Sequence, residues 1–120
     1  MKRSEFVRRI VLDHIANDYE NVDQTILGEV ADFGARCGLV IERPEVVEAL
    51  AGLIETGLAK AYLLSNTATE LPGMPAIDVV EEDFETYFYV TKAGKELVQS
   101  DETWRPFDDE GSLRLEWKID

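Results

Sequence analysis

Two apolar stripes at helical spacing, joined by a short connection and followed by a strand-like run, constrain this chain most. Ile26, Val30, Phe33 and Cys37 recur at i, i+4, i+7 and i+11, and Gly38 is placed to end that helix. After Leu39-Val40-Ile41-Glu42, Pro44 suits a first helical turn. Val46, Val47, Leu50, Leu53 and Ile54 then form the core side of the next helix, with Gly57 as its stop. The spacing predicts helices over about 23–37 and from 44 to just before Gly57.

The flanks read less sharply. Ser4 can cap a first helix running to about Asn17, with Phe6, Val7, Ile10, Val11 and His14 on one side. Asn17 to Asn21 is turn-like. Leu58 to Ser65 reads as a strand, and Ser65 to Asp83, with Pro72, Gly73 and Pro75, as a long loop. Phe84, Thr86, Phe88 and Val90 alternate against Glu85, Tyr87 and Tyr89, a strand pattern, and Thr91 can cap a short helix that turns Leu97 and Val98 inward. Asp108-Asp109-Glu110-Gly111 reads as a turn. Beyond it, Leu113, Leu115, Trp117 and Ile119 share a face opposite Arg114, Glu116 and Lys118, which predicts a C-terminal strand. Its apolar side needs cover, which a tail this short more often finds on its own domain; the alternative cover is a second copy, for which these four residues are the candidate subunit contact.

Helix, helix, short turn, helix, strand, long loop, strand, helix is the order of a winged helix-turn-helix domain. Leu50-Ala51-Gly52-Leu53-Ile54-Glu55-Thr56-Gly57-Leu58 resembles the end of a recognition helix and the turn into the wing. Tyr89-Val90-Thr91-Lys92-Ala93-Gly94-Lys95-Glu96-Leu97 resembles the wing strand, Thr cap and Gly-containing helix of MarR-like and PadR-like transcription regulators. The likeness covers roughly residues 4–100. It implies a mainly α fold with a small antiparallel β wing (α+β), over a domain of 1–100 with a tail of 101–120. It also implies a third helix that enters the DNA major groove.

Charge argues against that last role. The 120 residues hold 25 acidic and 12 basic side chains, a formal net charge of −13. Between Lys60 and Lys92 there is no lysine or arginine, but there are Glu70, Asp78, Glu81, Glu82, Asp83 and Glu85. On a helical wheel Glu45, Glu48, Ala49, Gly52 and Glu55 fall opposite the third stripe, and Arg43 at the helix start is its one cation. Phosphate repels such a face before any base is read. Ala49 and Gly52 offer a flat strip for the approach of another backbone. Lys2, Arg3, Arg8 and Arg9 form the candidate basic patch, with Arg9 placed to pair with Glu5 and Asp13, and Arg36 with Asp32.

Groups for catalysis are few. His14 reads as a packed or helix-end histidine and Cys37 as a core thiol, and one of each falls short of a usual zinc set. Glu81-Glu82-Asp83-Glu85 lacks the spacing of a calcium loop and reads as a solvated acidic loop. Tyr87 and Tyr89 suit sheet packing or a protein contact better than base stacking, because no cation is near them. No nucleotide-binding or nucleophile motif occurs, so no cofactor and no enzyme activity are expected. A lone cysteine excludes an internal disulfide, and no apolar run reaches the length of a signal or membrane span, so a cytoplasmic location without membrane contact is expected. The reading that results is an acidic winged-helix module that docks on a protein, preferably a basic one, through helix three and the wing. The alternative is a DNA-binding regulator, acting as a dimer.

Overall fold

The computed structural model describes residues 1–77 and 85–120. Its elements are α1 (Arg3–His14), a π-helical turn (Val22–Ile26) running directly into α2 (Leu27–Arg36), α3 (Arg43–Glu55), β1 (Ala59–Leu64), β2 (Ala68–Glu70), β3 (Thr86–Val90) and α4 (Lys92–Ser100). Two 3-10 turns follow, Glu102–Trp104 and Leu115–Trp117. The helices carry an antiparallel sheet of order β2-β1-β3. The fold is therefore α+β and compatible with a winged-helix-like domain. Asp78, Glu81, Glu82, Asp83 and Phe84 lie outside the described residues.

Local chemistry fixes the joints. Glu20, between α1 and the π-helical turn, exchanges both backbone hydrogen bonds with Phe88 of β3, donating at 3.0 Å and accepting at 2.8 Å. Next to it, the buried Asn21 accepts from the backbone N–H groups of Asp23 and Gln24 at 3.0 and 3.1 Å. Its Nδ2 donates to the Thr86 carbonyl at 2.8 Å. One side chain thus caps a helix and ties it to the sheet. Gly38 and Gly57, at φ 77° and 78°, end α2 and α3 in the left-handed conformation their positions require. The carboxylate of Glu45 accepts the N–H of Glu42 at 3.1 Å and closes the start of α3 around Pro44. Thr91 caps α4 by accepting the Gly94 N–H at 3.1 Å. A Cβ at Gly94 would collide with the Leu58 carbonyl oxygen and stand 2.7 Å from Val90 Cγ2, so only glycine lets α4 lie this close to the sheet.

The core gathers Phe6, Val7, Val11, Leu12 and Ile15 from α1 and its end, Val22, Ile26 and Val30 from the second helical segment, Val46, Leu50 and Leu53 from α3, and Phe88 and Val90 from β3. Thr86, Phe88 and Val90 face inward with Tyr87 and Tyr89 outward, as their alternation predicts.

Several expected features differ. α1 starts at Arg3 with Lys2 before it, so Ser4 lies within the first turn and does not cap the helix. It ends at His14 and not near Asn17, because the Ile15 carbonyl accepts the N–H of Val90 at 3.3 Å and the sheet captures the chain. The loop after Ser65 contains β2, which pairs Ala68, Thr69 and Glu70 with Leu64, Leu63 and Tyr62. All three β2 residues are exposed, so no hydrophobic alternation announces it.

The largest correction concerns the tail. The expected strand over Leu113, Leu115, Trp117 and Ile119 does not form. Asp108 accepts the N–H groups of Glu110 and Ser112 at 3.0 and 2.9 Å, making the expected turn, and Phe107 then bridges Leu113. From there the chain coils into a 3-10 turn and the four residues part company. Trp117 is 1% exposed and Leu115 is 76% exposed, while Leu113 and Ile119 are half-buried. The Trp117 ring packs edge-on against Phe6 at 5.7 Å, and its indole N–H donates to the Thr103 carbonyl at 2.7 Å. The tail covers α1 of its own chain. Trp117→Ala should destabilise the fold by about 3–5 kcal/mol, whereas Leu115→Ala should stay within about 0.5 kcal/mol of the parent. Thermal or urea unfolding monitored by circular dichroism checks both, and equal effects would contradict the tail packing described.

Candidate interaction surfaces

The face predicted to be free on the third helix is largely used inside the molecule. Ala49 is 5% exposed, and Gly52 lies under the Arg8 guanidinium, whose Nε would stand 3.2 Å from an added Cβ. The small residues do admit a close neighbour, but that neighbour is α1. Glu45 turns to the same side and binds Arg3 through Nε at 2.7 Å and Nη2 at 3.1 Å. Arg3 also donates to the carbonyl of Val40. Of the five residues Glu45, Glu48, Ala49, Gly52 and Glu55, only Glu48 and Glu55 are exposed. The outward strip of α3 runs through Pro44, Glu48, Ala51 and Glu55, flanked by half-buried Val47. The wheel is rotated because residues at 45, 49 and 52 have small or neutralised side chains, which polarity alone reads as solvent-facing.

This outward strip is partly roofed. Met74, Pro75, Ala76 and Ile77 stand across from Pro44, Val47, Glu48 and Ala51, and a groove of about 300 Å³ runs between them. Ile77 is buried and Met74 packs against the core, so apolar contact anchors the segment. The strip that a winged helix would offer to a groove of DNA is therefore acidic and flanked by its own wing. That roof was not legible in the sequence, where 65–83 reads only as a loop.

The candidate basic patch does not assemble. Arg3 and Arg8 reach toward α3, while Arg9 turns to the tail. The Arg9 guanidinium lies 5.0 Å from the Trp104 ring and 5.6 Å from the Trp117 ring, and Nη2 binds Glu5 at 3.0 Å. The expected Arg9–Glu5 pair is present, and the two tryptophans are an additional partner that the sequence did not suggest. Lys2 is exposed. Elsewhere, Arg43 grips Asp23 through Nε and Nη2 at 2.9 and 3.0 Å, and Lys60 meets Glu70 at 2.7 Å. Arg36 lies over the Phe33 ring at 5.8 Å. Arg3, Arg9, Arg43 and Lys60 are thus engaged by carboxylates within the chain.

His14 Nδ1 is 2.7 Å from the Glu29 carboxylate, so this helix-end histidine links α1 to α2. Cys37 is half-buried, and burial pushes its thiol above the ordinary value, which disfavours the reactive thiolate. Among the described residues, no helix is long and apolar enough to cross a membrane.

The Arg3–Glu45 pair has a pH signature. The Arg3 hydrogen bond holds the Glu45 carboxyl below its ordinary value of 4.5. A depressed acid stabilises the folded state above its unfolded value, and that contribution disappears as pH falls through the lower folded value. An NMR titration should place the Glu45 midpoint below 4.5, and Arg3→Gln should return it toward 4.5. An unchanged midpoint in that variant would mean that the pair does not persist in solution. Comparison with protein-family models, with curated proteins and with solved structures returned no match.

Proposed function

We propose that this chain is a non-catalytic protein-docking module built on a winged-helix scaffold, and that it does not contact DNA directly through α3 and the wing. The observation that carries the reading is the outward strip of α3. It presents Glu48 and Glu55, has the Met74–Ile77 segment beside it, and has its one helix-start cation, Arg43, bound to Asp23. With a net charge of −13, the molecule repels polyanions at long range and speeds encounter with a basic partner. A basic protein surface is therefore the preferred partner class.

The second reading is a DNA-binding regulator of the MarR-like or PadR-like kind. It is favoured by the element order and by the Glu20–Phe88 bridge, which adds a short pairing between the first two helical segments and the sheet. It requires a phosphate-facing cation set from a second subunit or another protein. A DNA-binding domain commonly neutralises on the order of 6–10 phosphates.

Heparin and mixed-sequence duplex DNA distinguish the two. At 50 mM salt the protein should pass through a heparin column unretained and should not shift labelled duplex at micromolar concentration. Retention that is released by rising salt would overturn the docking reading in favour of the regulator.

A further inference from the structure

All four tyrosines of the chain converge on the outer face of the sheet. Tyr62 of β1 stands opposite Tyr87 of β3 and opposite Glu70 of β2, and Lys60 stands opposite Tyr89. The neighbouring inward positions Ala61, Thr86, Phe88 and Val90 are buried, so the tyrosines occupy the outward ones. Tyr19, from the segment after α1, folds over them. Its ring stacks on Tyr89 at 4.7 Å with a 22° interplanar angle, and meets Tyr62 edge-on at 5.1 Å. The Tyr87 hydroxyl donates to Gln24 Oε1 at 3.2 Å. The four rings are half-buried, held by one another and still open to solvent. Rigid aromatic side chains lose little entropy on contact and are enriched where proteins dock.

The charges around this face select its occupant. Among the described residues its one cation is Lys60, and Glu70 neutralises it at 2.7 Å. Asp18 accepts the backbone N–H of Tyr19 at 2.8 Å, and the exposed Glu85 lies two residues before Tyr87 in the alternating run. Phosphate would be repelled here, so stacked nucleotides fit poorly. A second copy docked through a twofold axis would bring the same carboxylates together. A guanidinium fits both features, because it stacks flat on an aromatic face and pairs with a carboxylate at its edge.

We propose that the tyrosine face of the sheet binds an arginine-bearing basic segment of a protein partner, with a guanidinium laid on the solvent side of the Tyr19, Tyr62 and Tyr89 cluster beside Asp18. This rests on the protein-docking reading but places the principal contact on the sheet, away from the outward strip of α3.

The test uses the full chain and a Gly-Arg repeat peptide at 150 mM salt, with a citrulline version of equal length as the uncharged control. NMR of the labelled protein should show the signals of Tyr19, Tyr62, Tyr87 and Tyr89 moving with the arginine peptide and not with citrulline. Calorimetry should show roughly fivefold to tenfold weaker binding for the double variant Tyr62→Leu and Tyr89→Leu. The pair Glu48→Gln and Glu55→Gln should change affinity by less than about twofold, as expected for charges remote from the contact. Loss of binding through those glutamines alone would overturn the sheet proposal and leave the α3 reading standing. No binding to the wild-type chain would overturn it as well, and the heparin result would then decide the broader reading separately. An oligothymidylate moving the same tyrosine signals more strongly would assign the face to bases. Movement with protein concentration alone would assign it to a second copy. Should the leucine pair fail to fold, the wild-type shift map and the citrulline comparison decide the matter.

Discussion

The contact between α1 and α3 is the interaction on which the rest of the molecule depends. Ala49 and Gly52 open a shallow channel along α3, and α1 lies in it with Val7 buried and Arg8 spread over Gly52. Arg3 then closes one edge by binding Glu45 and the Val40 carbonyl. That single approach settles three matters together. It buries the side of α3 that polarity assigns to solvent, consumes two of the N-terminal arginines, and rotates Pro44, Glu48, Ala51 and Glu55 outward. Small residues on a helix are permissive in this way: they do not specify a partner, but they allow one to come close.

Charge follows from packing. A chain with 12 cations among 25 acidic side chains has few to spare. Arg9 is enclosed between Trp104, Trp117 and Glu5, Arg43 is bound to Asp23, and Lys60 is held by Glu70. Each pair contributes modestly to stability where it is exposed. Their joint effect on the surface is larger, because each of these cations is answered by a carboxylate of the same chain. The outward strip of α3 is acidic, and the outer face of the sheet is aromatic. These are two different surfaces with one shared preference for positive partners.

Much of the scaffold was legible in the sequence because it rests on short-range signals. The stripe from Ile26 to Cys37, Pro44, the glycines at 38 and 57, and the alternation from Thr86 to Val90 each report local geometry, and each element formed near its expected place. Thr91 and Gly94 likewise act as cap and close-approach residue. The tail misled for a physical reason. Leu113, Leu115, Trp117 and Ile119 alternate as a strand would, but among the described residues no sheet edge receives them, and burial of Trp117 on Phe6 with its indole N–H satisfied at Thr103 accompanies a 3-10 turn. β2 leaves no pattern in the sequence because an exposed three-residue strand exists only through the hydrogen bonds of its neighbour.

By itself, the order of residues determined the helices, the two principal strands, the α+β class and an acidic chain whose charge opposes phosphate. These follow from periodicity, turn chemistry and the arithmetic of charge, all readable along one dimension. Tertiary structure decided which face of α3 meets water, which carboxylate answers each arginine, and that Tyr19, Tyr62, Tyr87 and Tyr89 share one surface. Those outcomes depend on contacts between residues far apart in the chain, such as Arg3 with Glu45 and Tyr19 with Tyr89, and no local pattern encodes which distant side chain will arrive.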